Sequence, residues 1–109
     1  MLIIANRLAE ISFGKLMEVY EEGNLEKAKD IYGYMDVNAA LIQAEQDFYG
    51  YLNDVFFKTE GARYLIWEEN GRYISALRLE PFEDGVLLEA LETRPDSRGR
   101  GHAKRLVCL

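Results

Sequence analysis

Near the end of the chain, Arg94-Pro95-Asp96-Ser97-Arg98-Gly99-Arg100-Gly101-His102-Ala103 holds the residue types best suited to chemistry on an anion. Gly99 and Gly101 let the backbone approach a bulky group without an intervening side chain. A helix opening on these glycines would present unpaired N–H groups and the positive end of its dipole, both of which suit a phosphate. Arg98 and Arg100 add charge beside those amides. The segment reads as a pyrophosphate cradle. The plainer reading is a glycine-rich turn with surface arginines. No P-loop lysine follows the glycines, which argues against a nucleotide hydrolase.

Groups able to move a proton lie just upstream. Val86 to Thr93 reads as a strand. Strict alternation would put Leu87, Glu89, Leu91 and Thr93 on one face and Leu88, Ala90 and Glu92 on the other. Glu89 and Glu92 are carboxylates that can accept a proton. Each can equally be a solvent-facing or ion-paired strand residue. His102 is confined between Gly101 and Ala103, so its amide is expected to matter more than its ring. One histidine, one cysteine and scattered carboxylates suggest no metal ligand set.

The elements that must position these groups can be read in order. Leu2 to Ala5 is short and β-branched and predicts a first strand, with Asn6 as a cap for the helix after it. Arg7 to Glu22 has helical spacing, with Phe13, Leu16, Met17 and Tyr20 on one face. Gly23 and Asn24 suggest a break, then a short helix from Leu25 to about Tyr32. Asp36 reads as the cap of a third helix, whose stripe is Val37, Leu41, Ala44, Phe48, Leu52 and Val55, ending before Gly61. Gly50 inside it costs roughly 1 kcal/mol relative to alanine. Tyr32, Tyr34, Tyr49 and Tyr51 read either as an aromatic substrate box or, at helical spacing, as packing residues. The period then changes. Ala62 to Glu69, an Asn70-Gly71 type I′ turn, Arg72 to Glu80, a turn over Pro81 to Gly85, and Val86 to Thr93 predict a three-stranded antiparallel meander. That register sets Glu69 opposite Arg72 and Trp67 opposite Ile74. The fold class is α+β.

With 109 residues, 49% hydrophobic and 29% charged, the chain suits one soluble globular domain. A net charge of −6 and a pI of about 4.8 disfavour nucleic acid as a partner. The single cysteine, Cys108, cannot form an intrachain disulfide and reads as a small apolar residue. It points to a reducing compartment, and a cytoplasmic location is expected. The apolar run at the N-terminus is too short for a signal peptide or a membrane span.

Arg98-x-x-Gly101-x-Ala103 resembles the Arg/Gln-x-x-Gly-x-Gly/Ala signature of the GNAT superfamily of acyl-CoA-dependent N-acetyltransferases. Leu91-x-Thr93-x-Pro95 is similar to the Leu-x-Val-x-Pro that precedes it there, and the element order matches the first part of that fold. The resemblance implies a partial GNAT-like fold and transfer of an acetyl group from acetyl-CoA, as cosubstrate, to a primary amine. It implies that the amides of Arg98, Gly99, Arg100, Gly101, His102 and Ala103 hold the CoA pyrophosphate. The main chain around Leu91 and Thr93 would pair with the pantetheine and polarise the thioester carbonyl. Glu89 stands where many members carry an acidic residue and is the candidate base.

The sequence stops at Leu109. The family's fifth strand, and the later helix that often carries a tyrosine acting as general acid, are not in it. A single, incomplete domain over 1–109 is therefore expected, with the Val86–Thr93 strand as an open edge. A homodimer or strand exchange would cover that edge. Two alternatives to an active transferase stay open. One is a non-catalytic CoA-binding or protein-interaction module, and the other a module whose arginines bind a different anion.

Overall fold

The computed structural model describes residues 1–107, without the side chains of His102, Ala103 and Arg105; Cys108 lies outside the described residues. Strand β1 (Leu2–Ala5) leads through a single turn at Leu8–Glu10 into helices α1 (Phe13–Val19), α2 (Glu21–Ile31) and α3 (Val37–Asp54). Strands β2 (Arg63–Glu69), β3 (Arg72–Phe82) and β4 (Gly85–Thr93) come next, then a turn at Pro95–Ser97 and helix α4 (His102–Val107). The strands form one antiparallel sheet in the order β1-β2-β3-β4.

The pleat divides the core into two layers. Tyr64 and Ile66 of β2 join Leu16, Tyr20, Leu52, Phe56 and Ala76 on the side of α1 and α3. Leu65 lies on the other side with Leu77 and with Leu106 of α4. Ala28, Ala40 and Ala44 pack α2 on α3, where small side chains permit close approach.

The helical expectation from Arg7 to Glu22 is corrected. Asn6 caps nothing; its amide binds the Glu10 side chain. Ser12 is the cap, accepting from the Lys15 amide. The chain bends at Tyr20 (φ −97°, ψ 12°) and restarts as α2, so Gly23 and Asn24 lie inside a helix rather than between two. The cause is tertiary: Tyr20 turns down onto the sheet, and Asn24 is buried with its Nδ2 donating to Met17 Sδ at 3.4 Å. Asp36 caps α3 as expected. That helix runs through Gly50 but stops at Asp54, earlier than Gly61 suggested, and Val37 and Val55 at the ends of its stripe are exposed.

The Asn70-Gly71 turn has positive φ at both residues (52° and 76°), and Glu69 pairs with Arg72. A bulge at Trp67/Glu68 then sets Trp67 opposite Ser75, not Ile74. Pro81 belongs to β3, paired with Val86, so the second turn is tighter than expected. It is tolerated because β2 reaches only as far as Leu79, and beyond it no neighbour needs the missing N–H. The tyrosines do not form a box. Tyr32 bonds Asp47, Tyr34 is exposed, Tyr49 meets Phe13 edge-on and Tyr51 lies beside Arg78.

Candidate functional site

Strand β4 is not regular. The β3–β4 register is broken between Ala76, paired with Glu92, and Arg78, paired with Glu89. One residue of β3 therefore faces two of β4, and the extra residue is taken up with Ala90 at φ 55°. Partners in register share a face. Glu89 and Glu92 consequently both lie on the side of α1–α3, while Leu88, opposite Leu79, and Thr93, opposite Ser75, lie on the side of α4. Adjacent to Glu92, Leu91 falls on the α4 side as well. The uniform alternation that put Glu89 with Leu91 and Thr93 is corrected for this reason. Alanine in the left-handed region carries no sequence signal, whereas glycine would have.

Glu89 faces Arg78, with Oε1 and Nε 4.0 Å apart. That is an ion pair but too long for a hydrogen bond, and both atoms are buried without another partner. The guanidinium rests among Phe48, Tyr51 and Phe56, 5.0 Å from the Tyr51 centroid and 5.7 Å from the other two. Cation–π attraction holds it there. Nothing in the sequence marked Arg78; it sits in a strand where a charged residue reads as solvent-facing. The Glu89 side chain keeps 30% of its surface exposed, so it remains reachable.

Beside this pair two buried tyrosines form a chain. Tyr64 Oη donates to Tyr20 Oη at 2.7 Å, and Tyr20 Oη donates to the Ala90 carbonyl at 2.6 Å. Burial pushes the Tyr64 hydroxyl up to about 12 and raises Tyr20 well above its ordinary value, so both stay protonated donors at neutral pH.

Past Thr93 the chain makes its turn at Pro95–Ser97 and enters the glycine loop. Arg94 is clamped by Glu18 at 2.8 Å and Asp96 at 3.3 Å. Arg72 reaches Asp96 at 2.8 Å, and these two arginines depress the Asp96 carboxyl to about 2. Arg98 is similarly engaged. Its Nε donates to the Thr93 carbonyl at 3.2 Å, and its two terminal nitrogens reach Glu22 at 3.2 Å and Glu92 at 3.0 Å. Its fork thus staples the loop to β4 and α2. Gly99 and Gly101 have φ of 81° and 78°. A Cβ at either would meet no atom within 4 Å, so glycine is required by the backbone twist and not by crowding within the chain. Among the described residues, the amides of Gly99 and Gly101 donate to no protein group, whereas that of Arg100 closes the turn over Arg98 and Gly99; Arg100 and Lys104 make no ion pair.

Leu91, Glu92, Thr93, Arg98, Gly99, Gly101 and Lys104 line a cleft of about 310 Å³. That is the low end of roughly 300–1,000 Å³ typical of ligand sites, enough for part of a large cofactor. Most of the expected binding residues meet here; Arg100 is not in the lining, and the side chains of His102 and Ala103 lie outside the described residues. Glu89 does not line it either, since it faces the opposite side of the sheet. The Thr93 amide donates to Glu92 Oε1 at 3.3 Å, and its hydroxyl shares a 2.8 Å bond with Ser75. No helix among the described residues is long and apolar enough to cross a membrane.

The fold is similar to that of the PaiA N-acetyltransferase of Thermoplasma acidophilum, whose crystal structure was solved in complex with coenzyme A. The TM-score is 0.51 at 12% identity, over 99% of this chain and 68% of that one. No curated protein matches the sequence. The model of the "Acetyltransferase (GNAT) family" matches residues 18–108, a span that takes in the bulged β4 and the whole glycine loop. A sheet whose broken strand runs into a loop of unpaired amides, matched over most of its length by that model, identifies the chain as a member of the GNAT acetyltransferase family.

Proposed function

We propose that the chain transfers the acetyl group of acetyl-CoA to a primary amine. The observation that carries this reading is the cleft where the free amides of Gly99 and Gly101 flank the end of β4. The pyrophosphate would sit on those amides, with Lys104 and Arg100 supplying charge. The pantetheine would run along the outer side of β4 like an added strand. The amine nitrogen attacks the thioester carbonyl, whose oxygen is held by a β4 amide; the carbon–sulfur bond breaks and CoA leaves as thiolate. The proton lost by the amine goes to Glu89 through ordered water around the edge of β4, since Glu89 faces away from the cleft.

Gly101→Val tests the loop. A β-branched residue cannot hold a φ of 78° without strain. CoA affinity by calorimetry should fall about tenfold or more, since each lost amide contact to a charged group is a large fraction of binding. Unchanged affinity overturns the assignment.

A second reading, binding of CoA without turnover, is favoured by Glu89 lying outside the cleft and 4.0 Å from Arg78. CoA–SH release above background with a panel of amines excludes it. On either reading β4 is the edge of the described sheet, with Val86 and Leu88 exposed at the end away from the cleft, and we assign the cover of that end to a second copy of the chain. A monomer by light scattering at high concentration rejects that assignment.

A further inference from the structure

Among the described residues, the Ala90 carbonyl is the one point of β4 that accepts a hydrogen bond from a side chain of the α1–α3 layer. Ala90 stands at φ 55°, a conformation that an alanine leaves readily unless something holds it. The Tyr20 hydroxyl donates to its carbonyl at 2.6 Å from the α1–α3 side of the sheet. Tyr20 is well placed to hold. It is buried, it stands at the bend between α1 and α2, and its ring packs on Phe48 with centroids 5.2 Å apart. Tyr64 donates to the Tyr20 oxygen, leaving the Tyr20 proton for Ala90. Left-handed strain and one buried hydrogen bond are of similar size, so this bond decides whether the bulge persists.

The consequence lies in the next peptide unit. A trans peptide is planar, so the Ala90 C=O and the Leu91 N–H point in opposite directions. With the carbonyl drawn toward Tyr20, the Leu91 N–H is turned away from the helices. It faces the side of the sheet where Leu91, 43% exposed, lines the cleft. We infer that Tyr20 is a positioning residue, whose hydroxyl aims the Leu91 amide at the thioester carbonyl bound in that cleft. The inference rests on the acetyl-transfer reading and adds the group that orients the oxyanion donor.

Tyr20→Phe keeps the ring and removes only the hydroxyl. It should lower kcat about tenfold or more while the KM for acetyl-CoA stays within about threefold, the split expected when a transition-state donor is misaimed. Tyr64→Phe, equally buried, should leave kcat within about twofold, because Tyr20 still donates to Ala90. Adding Ala90→Gly to Tyr20→Phe should restore kcat about threefold or more, since glycine holds the bulge unaided. A Tyr20→Phe enzyme with kcat within twofold of wild type, or equal losses in both tyrosine variants, overturns the inference. NMR separates this outcome from failure of the transferase reading. In Tyr20→Phe the positive-φ coupling of Ala90 should disappear and the Leu91 amide resonance should move, while Tyr64→Phe preserves both. An unchanged Ala90 and Leu91 in Tyr20→Phe reject the latch even if the wild-type chain turns over no amine.

Discussion

On the side of α1–α3 the sheet carries Tyr64, Ile66 and Ala76 against Leu16, Leu52 and Phe56, with Phe56 flanked by Tyr51, Phe57 and Tyr64. On the side of α4 it carries Leu65 and Leu77 against Leu106, and leaves Leu88 and Leu91 exposed. The first layer buries most of the apolar surface and so supplies most of the stability. The second holds the cleft. A ligand site needs open backbone and room, which are what a packed core lacks. The thin layer can leave backbone open because the thick one already holds the fold together. The bulge at Ala90 links the two, since its carbonyl is gripped from the thick side and its neighbouring amide looks toward the thin one.

Truncation on each side breaks this contrast most directly. Phe56→Ala should destabilise by about 3–5 kcal/mol in urea unfolding, the usual loss for a fully buried aromatic. Leu106→Ala should lie nearer about 2 kcal/mol, because the thin layer can collapse around the missing atoms. Equal losses at both positions would show that the layers do not differ. Arg78→Met should fall lower, at about 1–2 kcal/mol, since it leaves Glu89 partly buried without its cation while the rings still pack on an apolar chain. A stabilised Arg78→Met protein would mean that the ion pair opposes folding.

The acid limb sharpens the comparison at the loop. Asp96 is held at about 2 in the fold by Arg72 and Arg94, below the ~3.9 expected when unfolded. Its contribution is therefore fully present above about pH 4 and is lost as the pH falls through about 2. Asp96→Asn should flatten the decline of Tm over that window and leave the neutral-pH dependence unchanged. A wild-type decline that Asp96→Asn does not reduce would count against these arginines as its cause. The smallest effect belongs to the exposed edge: Leu88→Ser should change monomer stability by no more than about 0.5 kcal/mol. A larger loss at concentrations where the chain is monomeric would mean that Leu88 packs within the chain itself.

Much of the fold was legible where local chemistry governs it. Asp36 capped a helix because its carboxylate reaches the first free amides, and Asn70-Gly71 turned a hairpin because both can take positive φ. The glycine loop was legible for the same reason. The errors fell where distant residues overrule local ones. Gly23 and Asn24 look like a break, yet α2 runs through them because Asn24 is buried against Met17. Arg98 adds charge beside the loop, and nothing local foretold that its guanidinium binds Glu22 and Glu92, one of them 76 residues away.

By itself the sequence determined the α+β element order, the meander and the position of a loop with free amides, since periodicity, caps and glycines act within a few residues. Only the tertiary structure decided that Glu89 and Glu92 share a face, that Arg78 lies among aromatic rings, and that Tyr20 reaches Ala90. Each of these depends on a one-residue slip between β3 and β4 or on a contact between residues far apart in the chain, and neither leaves a mark in local composition.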